Sequence, residues 1–71
     1  MSVHATNFTG IKFAKMWEAL QWADASGLEP ITIAGGNFCV TMSERNRIES
    51  MGIEFGIITE HDDKIMVVPV N

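Results

Sequence analysis

Two short runs of alternating residues, ITIA and FCVT, stand on either side of the segment GGN at residues 35–37. Alternation with a period of two is typical of a half-buried strand, and glycines supply the positive φ angles that tight hairpin turns require. A phosphate-binding loop would instead need a helix directly after the glycines. Because strand-like residues follow them here, we interpret residues 31–41 as a β-hairpin.

Helical signals lie on both sides of this hairpin. The segment 9–27 has Thr9 as a predicted N-cap, and Gly27 follows its last turn. Thr41 to Glu44 match the capping-box pattern, so a second helix is expected to begin there and to end at Gly52. The first helix is expected to bury an apolar stripe at helical spacing. That stripe consists of Phe13, Met16, Trp17, Leu20 and Ala23.

A second hairpin closes the chain, with strands at residues 53–60 and 64–70 around the segment HDD. Gly56 is a candidate bulge, and Pro69 suits a strand end whose N–H has no partner. The resulting order is αββαββ. We expect residues 1–8 to form a flexible or strand-like arm and residues 9–71 to form one α+β domain. That domain is predicted to be a two-layer sandwich, with both helices on one face of a four-stranded, mainly antiparallel sheet.

The length of 71 residues allows only a small core, which supplies roughly 3–5 kcal/mol in domains of this size. Disulfides within the chain cannot add to it, because Cys39 is the only cysteine. One cysteine with two distant histidines also does not make the usual zinc ligand set, so no metal site and no cofactor are predicted. Additional stability is therefore expected from self-association.

The net charge of −4 comes from nine acids and five bases. This balance disfavours binding to nucleic acid or to an anionic membrane, since both need a basic face. The sequence contains no recognisable signal peptide and no apolar run long enough for a membrane span. A cytoplasmic location is the expectation.

The second face of the predicted sheet is apolar where a solvated face would carry alternating polar residues. Outward residues of the first helix add to this apolar surface. We therefore predict a homo-oligomer, most simply a two-fold dimer. The predicted interface residues are Ile11, Trp22, Met66, Val68 and Val70. In the last strand, Ile65 and Val67 are expected on the opposite face, beneath the helices. The alternative is that residues 1–8 cover the sheet and Trp22 lies beneath a loop.

Cys39 is the only candidate nucleophile of the cysteine type. A reactive thiolate needs a base or a positive field nearby, and the neighbouring residues offer neither. We interpret Cys39 as an inert core or interface residue. The sequence shows no Ser-His-Asp arrangement, no paired-carboxylate spacing and no cofactor fingerprint, so no catalytic residues are predicted and an enzyme is not expected.

Two polar clusters have chemistry that a binding site could use. His61, Asp62 and Asp63 could bind a cation, although Asp residues also form turns, and a solvated hairpin tip is the simpler interpretation. Arg45 and Arg47 belong to the residue types that contact DNA bases, although acids flank them. We expect both arginines to be solvated.

The predicted function is association, with a second copy of the chain and with another protein. The first alternative is a ligand-binding or regulatory domain with a pocket between subunits, lined by Trp22, Met66 or His61. The second alternative is a nucleic-acid-binding regulator that uses Arg45 and Arg47.

Overall fold

The computed structural model describes residues 8–71, which form one antiparallel sheet of five strands and two helices. The elements are β1 (Ile11–Phe13), α1 (Met16–Ser26), β2 (Glu29–Ile33), β3 (Gly36–Val40), α2 (Met42–Ser50), β4 (Phe55–His61) and β5 (Lys64–Val70). The strands lie in the order β1-β3-β2-β4-β5. The α+β class is confirmed, whereas the predicted four strands and the order αββαββ are wrong. The predicted arm lies outside the described residues except for Phe8.

The additional strand is β1, which occupies the first part of the predicted helix 9–27. Ile11 pairs with Cys39 and Phe13 pairs with Asn37, so β1 extends the first hairpin. The alternation of Ile, Lys and Phe fits a strand as well as it fits a helix, and pairing with β3 decides between them. This short strand is the edge strand at one side of the sheet.

The helix α1 therefore begins later than predicted, with Lys15 rather than Thr9 as its N-cap. The Lys15 N–H donates to Glu18 Oε1 at 3.0 Å, which satisfies one donor at the start of the helix. The helix ends at Gly27 as predicted. Gly27 has a φ of 77°, and its N–H donates to Ala23 O at 2.8 Å.

The two helices lie on opposite faces of the sheet, so the predicted two-layer sandwich with both helices on one face is wrong. Cys39 and Val40 are consecutive in β3 and therefore point to opposite faces. The buried residues on the α1 side are Ala19, Ala23, Cys39 and Ile58. The buried residues on the α2 side are Ile31, Ile33, Val40, Ile48 and Phe55. Each face of the sheet thus has its own small core.

The helix α1 packs on the sheet through Ala19 and Ala23, with Leu20 partly buried beside them, so the predicted apolar stripe is correct at Leu20 and Ala23 but not at Met16 and Trp17. Ala19 and Ala23 are buried, whereas Met16 and Trp17 are exposed. Small side chains permit a close approach of the helix to Cys39 and to the strands beneath it. The large residues of the predicted stripe consequently lie beside this contact or face outward.

The hairpin of β4 and β5 turns at Asp62 and Asp63, whose φ angles are 52° and 63°. His61 pairs with Lys64 across this two-residue turn, so the predicted three-residue segment HDD is one residue too long. A shift of one residue moves every side chain of a strand to the other face. As a result, the faces that we predicted for β5 are reversed. Residues Met66, Val68 and Val70 lie on the α2 side, and Ile65 and Val67 lie on the α1 side.

Gly56 is not a bulge, because the pairing of β4 with β5 continues through it without an extra residue. Gly56 lies opposite Pro69, next to the pair of Ile58 and Val67. A Cβ atom at Gly56 would overlap Val67 Cγ1 and would crowd the Thr32 hydroxyl. Glycine is needed here because neighbouring side chains occupy this space.

The hairpin of β2 and β3 is confirmed, although its turn lies one residue earlier than the predicted GGN. The turn residues are Ala34 and Gly35, with φ angles of 51° and 80°. Ile33 pairs with Gly36, so Gly36 and Asn37 belong to β3. A residue with a Cβ atom at positive φ pays a conformational cost of roughly 1–2 kcal/mol.

We predict that Ala34→Asn stabilises the protein, because Asn tolerates positive φ in two-residue hairpin turns. The free energy of unfolding should rise by about 0.5–1 kcal/mol. Urea denaturation followed by circular dichroism measures this change. The control, Ala34→Val, should lower the midpoint, since a β-branched residue adopts this conformation least readily. Equal midpoints for the two variants would contradict the assigned turn.

Candidate functional site

The predicted interface residues do not form one surface. Ile11, Trp22, Met66 and Val68 are exposed, by 44–48 % of their accessible area. Val70 is half-buried and packs against the core on the α2 side. The strand register places Ile11 on the α1 side, with Trp22 on α1 itself, whereas the other two exposed residues lie on the α2 side of β5. The described residues therefore carry two separate apolar surfaces.

The first surface is the outer edge of β5, which within residues 8–71 pairs with β4 alone. We call it the edge surface and define it by Ile65, Met66, Val67 and Val68. Met66, Val67 and Val68 are exposed. Sequence reasoning missed Val67, because the reversed faces of β5 placed it beneath a helix.

The backbone of β5 also has hydrogen-bonding groups that point away from β4. In an antiparallel pair, residues alternate between hydrogen-bonded pairs and pairs whose N–H and C=O groups face outward. The pair that closes a two-residue turn, here His61 and Lys64, is hydrogen-bonded. Every second residue of β5 from Lys64 onward is therefore hydrogen-bonded to β4. The residues between them, Ile65, Val67 and Pro69, direct their backbone groups outward. Pro69 has no N–H, so its position costs the hairpin no hydrogen bond.

The second surface surrounds a groove on the outer side of α1 and is called the tryptophan groove. It has a volume of about 430 Å³. Its lining residues are Phe13, Trp17, Glu18, Gln21, Trp22 and Ala25. The ring centroids of Phe13 and Trp22 are 6.1 Å apart, and the two rings are inclined by 46°. Sequence reasoning missed Trp17, which it assigned to the core.

A further groove of about 320 Å³ lies beside the edge surface on the α1 side of the sheet. Val67, Pro69, Thr32, Gly56 and Glu54 contribute to its walls. None of the residues that line this groove belongs to α1. The edge surface is therefore accessible from the α1 side as well as from its outer edge.

Cys39 is a core residue, and its recorded hydrogen-bond partner among residues 8–71 is a backbone carbonyl rather than a base. It is 1 % exposed, and its Sγ donates a hydrogen bond to Ala19 O at 3.0 Å. Burial raises the pKa of the Cys39 thiol, so the reactive thiolate is disfavoured. These observations agree with the interpretation of Cys39 as inert.

We predict that Cys39 reacts with a disulfide reagent such as DTNB at least about 100-fold more slowly in the folded protein than in denaturant, because reaction requires local opening. The matched control is the double variant Cys39→Ala/Ser26→Cys, which moves the thiol to an exposed position on α1. This control should react at nearly the same rate in both conditions. Rapid reaction of Cys39 in the native protein would contradict the described packing.

The two arginines of α2 both have acidic partners and are not simply solvated as predicted. Arg45 Nη1 lies 2.8 Å from Glu29 Oε1, which links α2 to the start of β2. Arg47 Nη2 lies 2.8 Å from Glu44 Oε2 within the helix. Both guanidinium groups are thus engaged by carboxylates of the same chain.

Thr41 caps α2 as predicted, since its Oγ1 accepts the Glu44 N–H at 3.0 Å. The reciprocal half of the capping box is absent, because the Glu44 carboxylate is used elsewhere. It accepts the Thr9 N–H at 2.7 Å and two hydrogen bonds from Arg47. The adjacent Phe8 packs against the α2-side core, where its ring meets Phe38 edge to face. Glu44 therefore holds the segment that precedes β1 against α2.

The pKa of Glu44 is lowered to about 2. The hydrogen bonds from Arg47 are the largest cause, and the hydrogen bond from the Thr9 N–H is the second. A carboxyl whose pKa is lower in the folded state stabilises the fold above its unfolded-state pKa, and this contribution is lost as the pH falls through the folded-state value. We predict that Glu44→Gln lowers the melting temperature at pH 7. The difference from the parent should shrink between about pH 4.5 and about pH 2. Thermal melts of the parent, Glu44→Gln and the control Glu49→Gln test this, and a difference independent of pH would contradict it.

The tip of the second hairpin does not gather a ligand set. His61 Nε2 lies 3.3 Å from Asp62 Oδ2, and both side chains are exposed. Over residues 8–71 there is no group of three or more His, Cys, Asp or Glu side chains placed to hold a metal ion. In the same part of the chain, neither helix has the length and apolar character needed to cross a membrane.

Comparison of the chain with protein-family models, with curated proteins and with solved structures finds no match. Function must therefore be argued from the two apolar surfaces and their chemistry.

Proposed function

We propose that this protein is a self-associating module in which β5 pairs with β5 of a second copy to form a two-fold dimer. The supporting observation is that, in the part of the chain that the structure describes, β5 is a seven-residue edge strand with apolar, exposed side chains and unpaired backbone groups. A long apolar edge invites pairing with another strand unless something blocks it. At the opposite edge of the sheet, β1 is only three residues long.

The outward backbone groups of β5 favour one register. When Met66 lies opposite Met66 of the second copy, Ile65 lies opposite Val67, and these two residues exchange hydrogen bonds in both directions. All outward N–H and C=O groups of Ile65 and Val67 are then paired. Moving the register by two residues, so that Val67 lies opposite Val67, places Ile65 opposite Pro69, and the Ile65 carbonyl loses its donor because proline has no N–H.

A second copy suits this edge because an antiparallel pair of identical strands is two-fold symmetric, so one strand supplies both halves of the interface. The paired side chains would be apolar on both faces, and such cross-strand pairs are stabilising. Electrostatics favour the same location. Each copy carries a net charge of −4, but Lys64 at the end of β5 is the only charged residue of that strand. Two copies therefore meet there with least repulsion.

We predict that Val67→Pro weakens the dimer without unfolding the subunit. Val67 and Pro69 occupy equivalent outward positions, so proline at residue 67 should remove only the two symmetry-related hydrogen bonds that the Val67 N–H groups donate across the dimer. Sedimentation velocity from 1 to 100 μM should show a dimer for the parent and at least a tenfold weaker association for the variant. Circular dichroism should show the same secondary structure for both proteins.

Two controls distinguish edge pairing from other modes of association. Trp22 lies on α1, away from β5, so Trp22→Ala should leave the dimer intact. Val67→Lys places two positive charges close together near the two-fold axis and should weaken the dimer, even if Val67→Pro disturbs the hairpin. A parent protein that is monomeric over this range, or a dimer that both β5 variants preserve, would overturn the proposal.

Salt provides an independent check. Like charges of −4 repel each other, and salt screens this repulsion. Association through β5 should therefore strengthen when sodium chloride is raised from 20 to 300 mM. An interface built mainly from opposite charges would weaken over the same range. Sedimentation at the two salt concentrations distinguishes these outcomes.

A further inference from the structure

We infer that the tryptophan groove binds a small quaternary ammonium compound, with the methylated cation held between Trp17 and Trp22 and balanced by Glu18. This inference is independent of the proposed dimer, because the groove lies on α1 and not on β5. It depends on the aromatic residues that line the groove and on the charge distribution along α1.

The spacing of the two tryptophans suits a cation of this kind. Trp17 and Trp22 are five residues apart in α1, so their Cα atoms are separated by roughly 9 Å. Gln21 lies between them on the helix surface, and Ala25 lines the same groove just beyond Trp22. Both indoles line the groove, and an aromatic face attracts a positive charge that lies within about 6 Å of the ring. Phe13, in contact with Trp22, adds a third aromatic ring.

The groove also has the required electrostatic sign. The charged residues of α1 are Glu18 and Asp24, and the last turn has no basic residue to offset the negative end of the helix dipole. Glu18 lines the groove and uses Oε1 to accept the Lys15 N–H, which fixes the position of the carboxylate. A bound cation thus gains from one oriented carboxylate and from the negative end of the helix dipole.

These features favour a methylated cation over a metal ion or a bare ammonium group. Metal ions require several oxygen, nitrogen or sulfur ligands, whereas this groove presents aromatic rings and one carboxylate. A bare ammonium group needs acceptors for three N–H donors. A quaternary ammonium has no N–H donor, and its methyl groups can contact the exposed rings of Trp17 and Trp22.

The test is a fluorescence titration of the full chain with choline and with tetramethylammonium chloride at constant ionic strength. Trp17 and Trp22 are the only two tryptophans, so their emission reports on the groove directly. We expect saturable binding with a dissociation constant in the millimolar range. The neutral isostere of choline, 3,3-dimethyl-1-butanol, should bind at least fivefold more weakly, because it fills the same volume without the charge.

Three variants locate the site. Trp17→Leu and Trp22→Leu should each weaken choline binding at least threefold, and both side chains are exposed, so the fold should be retained. Glu18→Gln should weaken it about twofold to fivefold, since glutamine can still accept the Lys15 N–H but has no charge. Glu60→Gln, in β4, is the matched control for the loss of one negative charge and should have no effect.

Equal binding of choline and its neutral isostere would overturn the inference, as would unchanged affinity in the three variants. Absence of a saturable signal up to 100 mM choline would also overturn it. If a trimethyllysine peptide binds and free choline does not, the occupant is a protein segment, and the inference of a small compound is wrong. Loss of the parent dimer in Trp22→Leu would show that the groove is covered by a second copy.

Discussion

The register of β4 against β5 determines most of what this molecule presents to its surroundings. A two-residue turn at Asp62 and Asp63 closes the hairpin at the pair of His61 and Lys64. This register decides which side chains of β5 reach the core and which backbone groups face outward. It also places Pro69 at an outward-facing position, where the missing N–H removes no hydrogen bond between β4 and β5. A turn longer by one residue would reverse the faces of β5.

The sheet has a helix on each face, and yet neither face is fully covered. The helix α1 contacts the sheet mainly through Ala19 and Ala23, and α2 contributes Ile48 as its buried residue. Small contacts of this kind leave the far strand uncovered, so β5 keeps exposed apolar residues on both faces. They also leave the large residues of α1 outside the core. The excess of apolar surface that composition suggested is thus present on β5 and on the outer side of α1, and Met42 and Met51 are exposed on α2 as well.

The edge surface and the tryptophan groove belong to different elements and differ in chemistry. The edge surface offers unpaired backbone groups and aliphatic side chains, which suit another strand. The tryptophan groove offers aromatic rings beside a carboxylate, which suit an organic cation. Since β1 and β5 lie at opposite ends of the strand order, occupation of one surface does not require the other to be empty. The sheet and its two helices, one on each face, position both surfaces although each core is small.

Sequence reasoning found the elements that depend on local signals. The turn between β2 and β3, the Thr41 cap of α2 and the stop at Gly27 follow from residue types that favour a particular backbone conformation within a few positions. The same reasoning identified Ile11, Trp22, Met66 and Val68 as exposed apolar residues. It failed where two patterns were locally equivalent. Residues 11–13 fit both a helix and a strand, and pairing with β3 decided the outcome.

The sequence by itself determined the α+β class, the two hairpins and the excess of apolar side chains, because composition and short-range periodicity carry this information. The tertiary structure alone decided that the helices lie on opposite faces, that Trp17 faces outward and that Val67 lies on an exposed edge. Those features depend on strand order and on a register that one residue can reverse. Their physical origin is the pairing of segments distant in sequence, to which no local pattern is sensitive.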